Sequence, residues 1–471
     1  LRRGLLAVLF CCPFFLANAQ PLSTGEKQPA PSLGMMRASE SYTYLKDVST
    51  SPYEKGFLDE IKYISITSNK DSYLTLGGSF RPRFEHYTNR NWAQGTESYY
   101  SQRLSLHTSI HLGSYARLFG EIYSGYKTDG EALPQSDEVD IHQGYVEVRL
   151  PIGETAHTTL VFGRNEVGLG ASRLVGIREG PNMRRSFDLG KITFSHSKTT
   201  IQAFYGREVQ LQFGAFDNTF SLFDKDAENV ELWGLYSWFS SSKREDTTEL
   251  YYLGFQSDAS RFNDVLGSET RHTVGLRRVG ILQGRWQYNT ELIYQFGDLA
   301  DNSISAFNIE TDWNYRLVRT TWTPTIGLKF DWSSGDKKPG DGKIQTFNPM
   351  FVNPGIYSLA AVNTPANLLS VHPSLSVSPT VALNLKIEYA FFYRTSQEDG
   401  LYSPPRFQSR AAEDIDEKHI GDTIGLFLNY TFNRNLSYTL ISSYFVAGSF
   451  LAETGNSESL FYLSSTLHFK F

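Results

Sequence analysis

The stretch Arg103 to Leu112, RLSLHTSIHL, decides the fold. Leu104, Leu106, Ile110 and Leu112 fall on one side of an extended chain, while Arg103, Ser105, His107, Ser109 and His111 fall on the other. This period of two belongs to a β-strand with one apolar and one polar face. It recurs far along the chain. In Trp286 to Phe296, Trp286, Tyr288, Leu292, Tyr294 and Phe296 alternate with Gln287, Asn289, Glu291 and Gln295. In the last segment, Phe461, Leu463, Leu467, Phe469 and Phe471 alternate with Tyr462, Ser464, Thr466, His468 and Lys470. Applied throughout, the pattern predicts eighteen strands, at 72–87, 99–112, 115–126, 140–151, 157–167, 182–195, 198–208, 229–239, 247–257, 270–279, 284–296, 302–316, 320–333, 366–378, 380–393, 419–432, 435–447 and 459–471.

Composition says what such strands are for. The 471 residues are 40% hydrophobic and 14% aromatic, with 27 Tyr and 33 Phe against 4 Met, so the apolar content is bulky and β-favouring. Tight connections at Gly113-Ser114, His196-Ser197, Ser378-Pro379 and Asn433-Arg434 alternate with long ones at 209–228, 334–365 and 394–418. An even number of alternating strands, with short turns at one end and long loops at the other, predicts an all-β fold: a transmembrane antiparallel β-barrel with periplasmic turns and extracellular loops. A soluble sandwich or propeller would pack its apolar faces on each other. Here Tyr236, Trp238, Trp286, Trp322, Trp332, Tyr389 and Tyr393 sit near strand ends on the faces read as outward, as interface girdles do.

The N-terminus reads as a secretory signal: Arg2 and Arg3, an apolar run from Leu5 to Leu16, then Ala17-Asn18-Ala19, with cleavage expected after Ala19. Cys11 and Cys12 both lie within it, so the mature chain is expected to hold no cysteine, and disulfide or thiol chemistry is excluded. The organisation expected is a signal peptide at 1–19, a periplasmic lead segment at 20–70 with a short helix around Tyr53 to Tyr63, and a barrel at 71–471 in a bacterial outer membrane. Lys+Arg 44 against Asp+Glu 50 gives a net charge of -6, too balanced for a nucleic-acid partner. Outer-membrane lipid is the partner such a barrel requires, and a barrel this wide is expected to stand as a monomer.

The inward faces carry charges of both signs: Arg81, Arg83 and Glu85 on the first strand, then Arg103, Arg117, Glu121, Glu147 and Arg149, with Glu291 and Glu388 further on. Arginines lining a lumen attract anionic solutes and can hold a carboxylate bidentately; lumen charges that pair with each other simply hold the wall together. The densest cluster runs from Arg164 to Asp188, with Arg164, Glu166, Arg173, Arg178, Glu179, Arg184, Arg185 and Asp188 around a glycine-rich connection. It suits a constriction folded into the lumen, or equally a salt-bridged loop anchored to the wall. Phe162 and Arg164 have the same parity, so a bulge is needed if one faces lipid and the other the lumen.

This cluster, GRNEVGLGASRLVGIREGPNMRRSFD at Gly163 to Asp188, resembles the core signature of the alginate-export family of outer-membrane proteins. IKYISITSNKDSYLTLGGSFRPRFEHY at the first strand, SGDKKPGDGKIQTFNPMF at Ser334 to Phe351, FYRTSQEDGLY at Phe392 to Tyr402, and TFNRNLSYTL and SYFVAGSFLAETG near the end agree. The resemblance implies an eighteen-stranded barrel with an arginine-rich path for an anionic polysaccharide. On matching positions it implies Arg81, Arg83, Arg103, Arg164, Arg173, Arg178, Arg184 and Arg185 as path residues, with Glu179 and Asp188 as their partners. Arg117 joins the path, and Glu85 and Glu121 the partners, from the face assignment. An export conduit of this type implies periplasmic export components beside it.

Other chemistry finds little support. Asp336 to Gly342 lacks the spacing of a calcium loop, and Lys337, Lys338 and Lys343 oppose a cation. The acidic run Glu413-Asp414-Ile415-Asp416-Glu417 reads as a solvated loop or as a divalent-ion site. His107, His111 and His142 share no face with a carboxylate at a ligand spacing, so no metal site and no cofactor is expected. A barrel hydrolase using Ser and His, with His86 and His142 outward, lacks a visible nucleophile motif. The function expected is passive passage of a polar, anionic saccharide, the alternative being a general or substrate-selective porin for uptake of small polar solutes; a receptor barrel with binding loops is a third class.

Overall fold

The computed structural model describes residues 27–471 apart from 131, 225–229, 242–244, 319, 321 and 413, so the signal-peptide segment, both cysteines and Glu413 of the acidic run lie outside the described residues. Eighteen long strands follow in chain order: β1 Tyr73–Thr88, β2 Thr96–Leu112, β3 Ala116–Lys127, β4 Asp137–Ile152, β5 Ala156–Asn165, β6 Phe187–His196, β7 Thr199–Glu208, β8 Glu231–Ser240, β9 Asp246–Phe262, β10 Val265–Leu282, β11 Trp286–Leu299, β12 Asn302–Arg316, β13 Thr325–Ser333, β14 Leu368–Val377, β15 Leu383–Arg394, β16 His419–Thr431, β17 Leu436–Ala447 and β18 Leu460–Lys470. Each pairs antiparallel with the next, and β18 returns to β1 from Ser79 opposite Lys470 to Thr88 opposite Phe461, closing the barrel without an edge. No described helix is long and apolar enough to cross a membrane; the strands do so.

The alternation sets the two faces as expected. On β2, Leu104 and Leu106 are each 44% exposed on the outside, whereas Arg103 between the barrel interior and its neighbours is 1% exposed. Trp286, Trp322, Tyr389 and Tyr393 stand exposed. Tyr236 and Trp238 correct the girdle expectation: they fall on the inward parity of β8, where Tyr236 stacks on Tyr251 at 4.9 Å and Trp238 packs against the core. Outward positions of that strand are Leu235 and Phe239.

Connections at one end are short, the longest being 317–324, but the other end is not uniformly long. Two connections there, 263–264 and 300–301, are tight turns between long strands, while 166–186 and 334–367 are long and fold inward. The first brings Val167, Leu169, Leu174 and Val175 into a core cluster with wall residues Phe187, Leu189, Leu232 and Phe255; the second adds Phe347, Met350 and Phe351. Val175 and Phe351 form a parallel bridge between the two loops. The barrel therefore has an interior core made by its own loops.

The lead segment joins this core from the end that carries the short turns. Only a 3-10 turn, Asp59–Ile61, forms where a helix was expected. Ile64–Ser65 adds to β1, and Asp59 accepts from Arg434 of the β16–β17 turn at 2.7 Å. Arg37 is buried at the closure seam, donating to the carbonyls of Gly78 at 2.8 Å and Phe471 at 2.7 Å, with Glu40 as its counterion at 2.8 Å. Ala38 packs against the interior cluster.

Candidate substrate path

The inserted loop 166–186 is held by charge. Glu179 stands among three guanidiniums: Arg103 Nη2 at 2.6 Å, Arg184 Nε at 3.1 Å and Arg81 Nη1 at 3.3 Å. Burial by itself would raise the Glu179 pKa, but Arg103, Arg184 and Arg81 pull it well below the usual carboxylate range. Arg81 also donates to the carbonyls of Glu179 and Pro181, so its planar fork cradles the loop backbone as well as the carboxylate. Arg83 donates to the Gly180 carbonyl and to Thr466 Oγ1 at 3.2 Å, with Glu85 3.8 Å away. Arg184 reaches Glu166 at 3.0 Å, the Tyr123 hydroxyl at 3.0 Å and the Met35 carbonyl of the lead segment at 3.1 Å.

At its other end the loop spans the interior. Arg173 pairs with Glu310 of β12 at 2.5 Å and Glu291 of β11 at 3.5 Å. Arg185 pairs with Glu208 at 2.7 Å and donates to the Phe351 carbonyl at 2.6 Å, tying this loop to 334–367. Arg117 donates to Ser109 Oγ and to the Ala38 carbonyl, each at 2.7 Å. Glu121 accepts from Gln143 at 2.6 Å.

Arg164 and Asp188 are brought together elsewhere. No bulge interrupts β5 or β6 here, so Arg164 keeps the outward parity of Phe162, and Asp188 sits opposite it in register. Their pair, 2.8 Å apart, is roofed by the β7–β8 connection, whose Asn218 and Thr219 carbonyls accept from Arg164 and whose Ser221 amide donates to Asp188. A bare arginine on a lipid-facing wall costs up to about 2–4 kcal/mol near mid-bilayer and less toward the surface. The roof removes that cost, and Arg164 lies on the outer face, apart from the lumen. A bulge does occur on β4, and there it corrects the placement of His142: the register shift beside Glu121 turns this side chain inward, stacked on Tyr123 at 3.9 Å with Nε2 2.8 Å from Glu166.

Two arginines differ from all these. Arg178, at a left-handed φ of 56° and partly exposed, has only the distant Met183 carbonyl at 3.5 Å, and burial and its neighbour Arg185 push its pKa down to about 10. Arg406, which the sequence reading passed over, is partly exposed beside Phe255, 4.9 Å from the ring centroid. Neither has a carboxylate partner among the described residues, and both feel the Arg185–Glu208 pair. Phe255 and Phe351 lie 5.8 Å apart between Arg406 and Arg185. No local pattern marks Arg406; it arrives from the 395–418 connection, far along the chain.

That connection is knotted to 334–367 through Asp399, which accepts from Thr346 Oγ1 at 2.5 Å, the Asp336 amide at 2.8 Å, the Gly400 amide at 2.7 Å and the Tyr402 hydroxyl at 2.8 Å. Even so, burial raises its pKa to about 6 from an ordinary 3.8. A carboxyl with a raised pKa in the closed loops favours closure below its ordinary pKa, and the contribution is lost as pH rises through about 6. Amide exchange protection over 334–367 is expected to be on the order of tenfold greater at pH 4 than at pH 7, after correction for intrinsic rates. Equal protection at both values would mean that Asp399 does not titrate there.

A closed barrel with an aromatic-rimmed apolar exterior, charged interior and inserted loops defines an outer-membrane channel protein. Residues 72–463 match the family described as Alginate export, and the chain belongs to that family. No curated protein matches the chain. Solved structures of similar fold include Pseudomonas aeruginosa OpdO, at 11% identity, TM-score 0.57, covering 85% of this chain and 97% of that one. P. aeruginosa OccK2 (OpdF) in complex with glucuronate is similar at 12% identity and TM-score 0.54, over 87% and 98% of the two chains. A BenF-like porin from Pseudomonas fluorescens Pf-5 is similar at 13% identity and TM-score 0.54, over 85% and 99%.

Proposed function

We propose that this channel passes a polar, anionic saccharide of the uronate type, and that Arg178 and Arg406 are its principal contacts in the lumen. The observation that carries the reading is their state: two partly exposed guanidiniums without carboxylate partners among the described residues, flanking the Arg185–Glu208 pair. A guanidinium in that condition offers a fork of donors to a carboxylate. The similar fold holding glucuronate is consistent with a barrel of this shape admitting a uronate. Passage is passive, so electrostatics and width are the selecting devices and no catalytic group is needed. The protein acts as a monomer in the bacterial outer membrane, with its lead segment toward the periplasm and any export components there; cleavage after Ala19 releases it for assembly.

One observation favours a general or substrate-selective porin instead: Arg81, Arg103, Arg173, Arg184 and Arg185 each bind carboxylates of the protein, which cancels their field. Reversal potentials and block by uronate oligomers in planar bilayers separate the readings. The wild type is expected to prefer anions and to be blocked by uronates. The double substitution Arg178→Gln and Arg406→Gln is expected to weaken that block on the order of a hundredfold, the worth of two charged hydrogen bonds of about 1.5 kcal/mol each. Cation preference, or indifference to uronates in the wild type, would leave the porin.

A further inference from the structure

The outer wall beside the roofed Arg164–Asp188 pair has a shape that a plain lipid-facing wall lacks. Val146 of β4, Leu160 and Phe162 of β5, Gly190 and Ile192 of β6 and Ala203 of β7 line a shallow apolar groove of about 520 Å³. Its floor is low because Gly190 has no side chain and a Cβ there would meet nothing within 4 Å, while Ala203 next to it is small. Neighbouring outward positions are large, with Val146, Leu160, Phe162 and Ile192 all exposed as its rims.

At the Phe162 end of the groove lies the same connection that roofs Arg164. This segment runs along the free upper edge of β4, where Ala215 bridges Val139 and Phe216 donates to the Val139 carbonyl. It then turns down the outside of the wall, so that Phe220 and Phe223 come within 6.2 Å and 6.0 Å of the Phe162 ring. Its polar groups are turned in, toward Arg164, Asp188 and Asp140. Its aromatic rings are turned out: Phe213, Phe216 and Phe220 are exposed, and Phe223 is 75% exposed. In water this would be a costly arrangement for a loop, whereas in contact with hydrocarbon it is the stable one. The apolar rings are also continuous, through Phe162, with the lipid-facing wall.

From these two features we infer that the groove is a seat for one acyl chain of an outer-leaflet lipid, and that the Phe213–Phe223 segment lies in that leaflet and closes over the chain. The occupant is a hydrocarbon chain rather than a protein because the groove faces the bilayer, has no exposed charged side chain on its rims, and is continuous with the surface that lipid already covers. The segment thus acts at once as shield for a charge pair and as a lipid contact.

Two measurements test this, both on the chain expressed from Gln20 and refolded into phosphatidylcholine vesicles, where no native cysteine follows Cys12. In the first, Phe223→Cys carries a nitroxide label and its collisions with oxygen and with a water-soluble nickel chelate are compared. Oxygen is expected to dominate, as in hydrocarbon, and nickel to dominate at Phe57→Cys, 85% exposed on the lead segment. Nickel dominance at position 223 overturns the placement of the segment in lipid. In the second, native mass spectrometry counts phosphatidylcholine retained on extraction. Gly190→Phe and, from the next strand, Ala203→Phe fill the groove and are each expected to retain one lipid fewer than the wild type. Equal retention in a barrel that still shows heat-modifiable migration overturns the seat.

Discussion

Glu179→Gln is expected to release loop 166–186 from the lumen and raise single-channel conductance several-fold. Three guanidiniums converge on this one carboxylate, and among the described residues only Arg184 of these keeps a second carboxylate, Glu166 at 3.0 Å. Removing one partner of a buried ion pair costs roughly 3–5 kcal/mol, because the charges left behind are uncompensated. Arg81 and Arg103 cannot leave the wall, since they stand on strands paired on both sides, so the loop yields. Trypsin added to the folded protein is expected to cut after Arg178 or Arg184 in the variant and to spare both in the wild type. Asp188→Asn is the informative companion: its pair lies on the outer face, so it should loosen the Phe213–Phe223 segment and leave conductance unchanged. Wild-type conductance and an unchanged digest in Glu179→Gln would show that apolar packing of Val175, Leu169 and Phe351 holds the loop without the charges.

Deleting residues 33–45 is the second large effect, and it acts from the opposite end. This part of the lead segment supplies Leu33, Tyr42 and Leu45 as a small apolar cluster and inserts between Arg117, Arg184 and Lys470, which take its backbone carbonyls at Ala38, Met35 and Leu33–Gly34. Its removal exposes the side of the inserted loop nearest the short turns and takes away one of the acceptors of Arg184. Conductance is expected to rise, with larger open-state fluctuations as Arg184 loses an anchor. The closure seam loses Arg37, whose hydrogen bonds to Gly78 and Phe471 contribute about 1–3 kcal/mol each, so a lowered melting temperature accompanies the change. The β1–β18 ladder remains, and the barrel should still form. Unchanged conductance would mean that the segment is a seam clamp and restricts nothing. Together the two variants separate a barrier built from the outside from one built from the inside.

Every one of the eighteen wall strands was visible in the alternation, because each strand reports its own two environments residue by residue, lipid on one side and polar interior on the other. The same local signal misplaced particular side chains where register intervened. His142 follows the outward parity of its strand until one extra residue beside Glu121 turns it in. Tyr236 and Trp238 look like girdle residues from composition alone, yet their parity on β8 sends them into a loop-built core that no single strand announces. The arginine cluster was conspicuous in sequence, but its division was not. Arg164 and Arg173 are nine positions apart in one glycine-rich run, and they end on opposite sides of the wall.

What the sequence determined by itself is the barrel: strand number, antiparallel order, lipid-facing surface and the family to which the chain belongs, since these follow from short-range periodicity and long local motifs. What only the tertiary structure decided is which charges are spent and which are free. Glu179 satisfies arginines about 76 to 98 residues away, Arg173 reaches strands more than 100 residues on, and Arg406 feels Arg185 across the closed lumen. The pairings depend on how a closed sheet brings distant strands face to face and how far each loop folds back between them, and the like charge of Arg185 reaches Arg406 through space without contact. Coulomb attraction and desolvation act through that space, and neither leaves a period in the sequence.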